Sequence, residues 1–314
     1  MHHGTDKATV NHAPSNYTTL SQHFLAPFQL AAQGYIIVGP NYAGIGVHKH
    51  ESEEPIMHEH LASPSHANDV VYTVQAAQKN FPELSQDFII IRHSQGGGAA
   101  WATAQRQVDK PIPGYLGGVA ISPVTTILDQ PEPLISIRGA ALIPGMASIF
   151  PDFKSEHFLS KPGEPGLANG IAHLLGQDGG TGIMKSNRLQ NEHVQRYHAI
   201  IANGFGKIAG PLLVVHGVTD VQWSSAATTA ALKRTAEGFP ESQLEYVLIP
   251  DVGHVSTLQA SQRLWMEWIT DQFARREVTH NVQRTVLPRA RLAASYKEEQ
   301  NWYLAPATQC FHTA

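Results

Sequence analysis

Cysteine is almost absent from this sequence, whose 314 residues include only Cys310. A single cysteine excludes an intrachain disulfide. It also argues against cysteine catalysis, because no base is evident beside a thiol so near the end of the sequence. The fold must therefore be held by a hydrophobic core, and 42% hydrophobic residues in a chain of this length supply a large one.

Long apolar runs and clusters of positive charge are lacking as well. The formal net charge is -4, and lysine and arginine are scattered with no run longer than two, so nucleic acid is not an expected partner. No apolar run approaches the roughly 18 to 20 residues of a membrane-spanning helix. Residues 1–5 do not form a secretory signal. We expect a cytoplasmic protein, or a secreted one if the sequence is truncated at its N-terminus.

Apolar, β-branched runs bounded by turn residues predict five buried parallel strands. Stretches with helical periodicity alternate with them, which predicts an α/β fold with a mostly parallel, doubly wound sheet. In such a sheet the ligand lies beyond the carboxyl ends of the strands. The predicted strands are residues 35–39, 88–91, 116–121, 212–215 and 244–249, and the predicted helices are 67–79, 96–105, 224–237 and 256–273.

The alternation is interrupted by a long segment rich in proline and glycine. We expect a core of residues 1–122 and 210–275, with residues 123–209 inserted as a helical lid that shapes the substrate pocket. The alternative is a separate small domain with no part in binding. Residues 276–314 are polar, and we interpret them as a C-terminal tail that packs on the surface or on a second subunit.

A serine follows the strand at 88–91, in the segment Arg92-His93-Ser94-Gln95-Gly96. A serine on a tight strand-to-helix turn is raised out of the sheet, and the turn requires small residues two positions away on either side. Gly96 meets this requirement and Arg92 does not. Ser94 is therefore the candidate nucleophile, although the motif alone also fits an ordinary glycine-rich turn.

Two later strands end in the side chains that a serine nucleophile requires. Asp220 follows the strand at 212–215, and His254 follows the strand at 244–249. A neutral imidazole takes the proton of the serine, and a carboxylate orients the imidazole. Because all three residues follow predicted strands, we expect them at one edge of the sheet. Asp251 is the rival carboxylate, with a loop-shaping function as its alternative.

At these motifs the sequence resembles the α/β-hydrolase superfamily, and within it the fungal secretory lipases and related esterases. The resemblance spans residues 2–275 and implies the α/β-hydrolase fold. The matching pieces are residues 3–5 (HGT), 34–46 (GYIIVGPNYAGIG), 93–97 (HSQGG), 216–220 (HGVTD) and 253–254 (GH).

The backbone N–H groups of two residues are expected to form an oxyanion hole. The first belongs to Gln95, the residue after the nucleophile. The resemblance implies that Thr5 supplies the second, the alternative being that residues 1–3 are the remnant of an affinity tag. Asn41, Tyr42 and His93 are candidate substrate-binding residues, and Asn41 and Tyr42 fit a purely structural turn equally well.

Two features depart from the family. The strands that normally precede the oxyanion turn are missing, so that part of the sheet is either shortened or rebuilt from the C-terminal tail or from a partner. An uncovered sheet edge invites pairing, and we therefore expect a homodimer. Arg92 replaces the usual glycine, and it either fills the vacated space or distorts the turn.

Histidine is abundant, and one group of histidines invites a metal hypothesis. Five of them lie within a short stretch, at positions 48, 50, 58, 60 and 66. Such clusters bind zinc or copper, but the neighbouring glutamates make a solvated loop the preferred interpretation. We expect no metal and no cofactor, since the serine chemistry needs none.

The expected function is hydrolysis of a carboxylic ester or thioester of a small, partly apolar metabolite through an acyl-enzyme. Transfer of the acyl group to an alcohol is the same chemistry with another acceptor. The alternative is a hydrolase fold that no longer hydrolyses and acts as a small-molecule binder, isomerase or cyclase. The departures at Arg92 and at the N-terminus favour this alternative.

Overall fold

A computed structural model describes residues 13–16, 26–131, 134, 142–157, 185–276 and 283–289. Within these residues, five strands form one parallel sheet in the order β1-β2-β3-β4-β5. The predicted α/β class with a parallel sheet is confirmed. The strands are β1 (Phe88–His93), β2 (Tyr115–Ile121), β3 (Leu212–Gly217), β4 (Leu244–Ile249) and β5 (Gln283–Val286).

Helices cover both faces of the sheet, as the two-sided apolar strands require. Successive residues of β3 point to opposite faces, so that Leu213 packs with the buried Trp265 and Leu212 packs with the buried Trp101. The helices are α1 (Pro27–Ala31), α2 (Ser63–Asn80), α3 (Gln95–Asp109), α4 (Leu142–Ile149), α5 (Glu192–Ile201), α6 (Ser225–Gly238), α7 (Ser256–Ala260) and α8 (Gln262–Phe273).

The strand predicted at residues 35–39 does not form, and this prediction is wrong. The segment pairs with none of the described strands, and Ile36 is 70% and Val38 42% exposed. An apolar run becomes a strand only when a neighbouring strand takes up its backbone hydrogen bonds. β1 lies at one edge of the sheet, and among the described strands it pairs only with β2.

Two further details differ from the sequence prediction. β5 extends the sheet beyond β4 from within the segment interpreted as a tail. Its four residues, Gln-Arg-Thr-Val, carry too little apolar character to signal a strand. The helix predicted at 256–273 is divided at Ser261 into α7 and α8.

The described parts of the predicted lid pack against the core. Helices α4 and α5 share one buried cluster, and Leu61, Ala62 and Trp223 of the core belong to the same cluster. At the end of α5, Asn203 N donates to Thr125 O at 2.9 Å, joining the two ends of the insertion. The extent of the lid over residues 123–209 remains a prediction, because parts of it lie outside the described residues.

Candidate active site

Ser94 occupies a sharp turn between β1 and α3. Its φ and ψ of 59° and −123° lie in a region that non-glycine residues seldom adopt. Ser94 N donates to Ile121 O at 2.9 Å, and Val124 N donates to Ser94 O at 3.1 Å. The end of β2 therefore fixes the backbone of Ser94 on both sides, which is how the surrounding structure maintains an unfavourable conformation.

The glycines after Ser94 let α3 approach the sheet closely. A Cβ added at Gly98 would lie 2.5 Å from Val124 O, and one at Gly97 would lie 2.9 Å from Ile121 O. A Cβ at Gly96 would lie 3.1 Å from the Cβ of Arg92. The glycines thus make room for the turn and for the stem of Arg92 together.

Arg92 is accommodated by stacking. Its guanidinium lies 5.0 Å from the centroid of the Tyr42 ring, at a distance typical of a cation–π contact. The turn at Ser94 keeps its geometry with this bulky residue two positions earlier. Burial raises the pKa of Tyr42 against the opposing charge of Arg92, so the phenol stays neutral.

Ser94, His254 and Asp220 form a hydrogen-bonded chain at the carboxyl edge of the sheet. Ser94 Oγ lies 2.8 Å from His254 Nε2, and His254 Nδ1 lies 2.6 Å from Asp220 Oδ2. Because Asp220 accepts at Nδ1, the proton of a neutral His254 sits on that nitrogen and Nε2 faces the serine hydroxyl as an acceptor. This is the arrangement that activates a serine hydroxyl.

Asp220 is held by several donors in a buried site. Gln222 N and Trp223 N donate to Oδ1 at 2.8 and 2.9 Å, while His254 and His216 contact Oδ2. Burial alone would raise the pKa of Asp220, but hydrogen bonds from His216 and His254 outweigh it and hold the pKa well below its usual range. The carboxylate is therefore ionised at neutral pH.

The rival carboxylate, Asp251, faces elsewhere. Its Oδ2 accepts from Arg289 Nη1 at 2.6 Å, and Asp251 is exposed. The hydrogen bond of His254 goes to Asp220.

His93 and Ser122 hold the backbone of His254. The His254 carbonyl accepts from His93 Nε2 at 3.0 Å and from Ser122 Oγ at 3.2 Å. Burial, with repulsion from His254, lowers the pKa of His93 to about 3, so this imidazole is neutral. His93 also lines the cavity, and its Nε2 is taken up by the protein backbone; a substrate-binding function for His93 remains a prediction.

The structure describes one of the two candidate oxyanion donors, Gln95. Gln95 is the first residue of α3, so its backbone N–H has no acceptor within the helix. Its side-chain Nε2 lies 3.3 Å from His66 Nε2. Thr5, with the whole turn at 3–5, lies outside the described residues.

Asn41 and Tyr42 reach the cavity from the segment after residues 35–39. Asn41 Nδ2 donates to Ser15 Oγ at 2.7 Å, and the Tyr42 ring stacks on His66 at a centroid distance of 4.1 Å. The ring of His58 lies 5.4 Å from that of His66. Among the described residues, no three or more His, Cys, Asp or Glu side chains lie together so that they could hold a metal ion.

A cavity of about 1030 Å³ opens beside these residues. All residues of β1, from Phe88 to His93, line this cavity, and so do residues 34–42. Such a volume is large enough for a small-molecule ligand. The polar lining residues near Ser94 are Asn41, Tyr42, His93, Gln95 and His254, and apolar lining residues include Leu30, Ile37, Leu61, Ile89, Ile91, Trp223 and Phe273.

Sequence reasoning did not assign a function to His216 or Ser122. His216 stands in the segment HGVTD next to Asp220, and Ser122 follows β2 directly, so their positions after strands were the available signal. Their contacts depend on side-chain geometry that spacing does not reveal.

Within the part of the chain that the structure describes, no helix is long and apolar enough to cross a membrane.

Comparison with known proteins defines the fold. No protein-family model and no curated protein matches the sequence. Among solved structures, the chain is similar to a protein described as a hydrolase from Legionella pneumophila, with a TM-score of 0.65, 16% identity and coverage of 86% of this chain and 78% of the other. The chain therefore has the α/β-hydrolase fold.

Two further neighbours are an esterase and a lipase. A single-site mutant of the rice cell wall degrading esterase LipA from Xanthomonas oryzae has a TM-score of 0.58 and 15% identity, with 87% of this chain and 79% of that chain covered. Candida antarctica lipase A has a TM-score of 0.54 and 12% identity, with 73% of this chain and 58% of that chain covered. The predicted resemblance to lipase-type esterases is confirmed at the level of the fold.

Proposed function

We propose that this protein is a serine esterase that works through an acyl-enzyme, with Ser94 as nucleophile, His254 as general base and Asp220 as the orienting carboxylate. One observation carries the proposal: the 2.8 Å approach of Ser94 Oγ to His254 Nε2, continued at 2.6 Å to Asp220, beside a large cavity. The esterase and lipase among the structural neighbours support the same reaction class.

The geometry supports a two-step reaction. Ser94 Oγ attacks the ester carbonyl while His254 Nε2 takes its proton, and the N–H group of Gln95 holds the oxyanion. The family resemblance adds the N–H group of Thr5 as the second donor. Protonated His254 then gives that proton to the leaving alcohol or thiol. Water, activated by the same imidazole, finally releases the acid and restores Ser94.

The lining of the cavity supports a partly apolar substrate. Leu61, Val124 and Trp223 line it and belong to the same buried cluster as helices α4 and α5. We propose that the apolar acyl or aromatic part lies among these side chains and that the ester carbonyl lies at Ser94. Burying apolar surface contributes about 25 cal/mol per Å², so longer acyl chains are expected to lower KM until the cavity is filled.

Turnover of a p-nitrophenyl ester series from acetate to decanoate, and of a matching thioester, tests this function. We expect Ser94→Ala and His254→Ala each to lower kcat/KM by roughly 10³-fold or more. Ser52→Ala and His48→Ala change exposed residues of the same types and should leave the rate unchanged. A wild-type rate no higher than that of the Ser94→Ala variant on every ester would leave the non-hydrolytic alternative as the better account.

We also propose a homodimer formed through the open edge of β1. The first four residues of this edge strand, Phe88, Ile89, Ile90 and Ile91, are apolar, and β2 is its one partner among the described strands. Exposed Ile36 and Val38 lie on the segment that faces the same cavity. An apolar, uncovered strand edge is the kind of surface that pairs with another chain.

A further inference from the structure

His216 is a buried histidine to which the proposed mechanism assigns no function. It lies at the end of β3 and is fully buried. Its Nε2 lies 3.0 Å from Asp220 Oδ2 and 2.9 Å from Trp223 O. The oxygen that it contacts on Asp220 is the same one that His254 contacts at 2.6 Å.

These contacts define which nitrogen of His216 carries the proton. A carboxylate oxygen and a carbonyl oxygen both accept, so Nε2 bears the hydrogen and donates to Asp220. Nδ1 is buried and has no hydrogen-bond partner among the described residues. The contacts of His216 in the described structure are therefore all made through the Nε2–H group.

Asp220, Trp223 and His216 form a closed hydrogen-bonded ring. Trp223 N donates to Asp220 Oδ1, and the carbonyl of the same Trp223 accepts from the His216 imidazole. The backbone donors hold only Oδ1, whereas Oδ2 must be aimed at His254. Within the described residues, His216 is the group besides His254 that contacts Oδ2.

We propose that His216 is a positioning residue, which fixes Oδ2 of Asp220 so that this oxygen meets His254 Nδ1. The inference rests on the proposed serine mechanism, because the function of Asp220 does. His216 touches neither the substrate nor the reacting atoms; it acts through Asp220. Its Nε2–H group supplies the donor, so another side chain with a donor of similar reach can replace it.

Replacing His216 by side chains with and without a hydrogen-bond donor tests the proposal. His216→Leu and His216→Phe remove the donor, and His216→Gln restores an N–H at a similar distance from the backbone. We expect the donor-free variants to lower kcat about 10- to 100-fold, as loss of a hydrogen bond to a charged group does, with KM changed less than about 3-fold. His216→Gln should recover most of kcat.

A second readout does not depend on turnover. The short hydrogen bond between His254 Nδ1 and Asp220 should give a far-downfield proton NMR signal, identified by its loss in His254→Ala. We expect this signal to disappear or shift in the donor-free variants and to persist in His216→Gln. If the wild type hydrolyses no ester, the esterase function fails, and the NMR signal still tests the positioning of Asp220.

Circular dichroism and thermal unfolding first establish which variants fold. A folded donor-free variant with wild-type kcat and an unchanged NMR signal would overturn the proposal. So would a folded His216→Gln that recovers neither. If neither donor-free variant folds, His216 is required for folding rather than for positioning, and the proposal is likewise wrong.

Discussion

Three histidines meet at the candidate site, and the neighbours of each determine which of its nitrogens carries the proton. His254 lies between a carboxylate and a hydroxyl, so its Nε2 is left as an acceptor. His93 and His216 both donate through Nε2, one to a carbonyl and one to a carboxylate. Of the three, only His254 is therefore arranged to receive a proton from a serine hydroxyl.

Stability at mildly acidic pH tests the environment of His93. An unfolded histidine titrates at about 6.5, and burial lowers the pKa of His93 to about 3 in the folded protein. The unfolded chain therefore binds the extra proton first. The contribution of His93 is present above about pH 6.5 and is lost as the pH falls toward 3.

Urea unfolding of the wild type and of His93→Phe at pH 7 and pH 5 measures this contribution. We expect the wild type to lose up to about 2 kcal/mol more than the variant over that interval. Titrating groups that do not interact with His93 are common to both proteins and cancel in the comparison. His48→Phe, a change at an exposed histidine, should behave as the wild type does. Equal losses in wild type and His93→Phe would show that His93 is solvated.

The order of Ser94, Asp220 and His254 along the chain and their positions after strands were enough to predict these three residues together. In the structure their side chains form one hydrogen-bonded chain. Ser94, Asp220 and His254 each follow a strand, and parallel strands bring their carboxyl ends to one edge. The contacts of His216 with Asp220 and of Ser122 with the His254 carbonyl were not predictable in this way. Whether a buried side chain turns toward a carboxylate or a carbonyl depends on packing between residues far apart in sequence.

At the scale of elements, strands were predictable where both faces are covered. The runs at 88–91, 116–121, 212–215 and 244–249 all lie within observed strands, because continuous apolar runs are what a two-sided sheet requires. Residues 35–39 have the same composition but no pairing partner among the described residues, and β5 has a partner but a polar composition. Whether a segment forms a strand depends on the strand beside it in the sheet. That neighbour is distant in sequence, so a local stretch of sequence does not predict the pairing.

The contact between α3 and the sheet is tested by adding one methyl group. At Gly98 a Cβ would meet Val124 O at 2.5 Å and Ser63 Oγ at 2.8 Å, whereas at Gly238, in α6, it would meet nothing within 4 Å. Alanine favours a helix more than glycine by up to about 1 kcal/mol, so without the clash both changes would stabilise the protein.

We expect Gly98→Ala to destabilise the protein by about 1–3 kcal/mol and to lower kcat, because Val124 also donates to the backbone of Ser94. Gly238→Ala should be neutral or slightly stabilising. Chemical denaturation and ester turnover measure the two effects. If the two alanine variants are equally stable, the close approach of α3 to residues 122–124 is wrong.

At the scale of the whole molecule, the two edges of the described sheet differ in character. β5 ends one side with the polar sequence Gln-Arg-Thr-Val, and β1 ends the other with Phe-Ile-Ile-Ile. Proteins normally protect an edge strand with charge, proline or a covering segment. β1 has Arg92 and His93 only at its carboxyl end, and no other described strand pairs with the rest of its length.

Association through the β1 edge is testable by adding charge beside it. We expect the wild type at micromolar concentration to have the mass of two chains by light scattering, since pairing would bury the apolar edge and Ile36 and Val38. Lysines at both positions would have to be desolvated on pairing, so the double variant Ile36→Lys, Val38→Lys should have the mass of one chain. Val47→Lys, at a 70% exposed valine that does not line the cavity, is the matched control and should remain dimeric. A wild type with the mass of one chain, or a double variant that still has the mass of two, would contradict pairing through this edge.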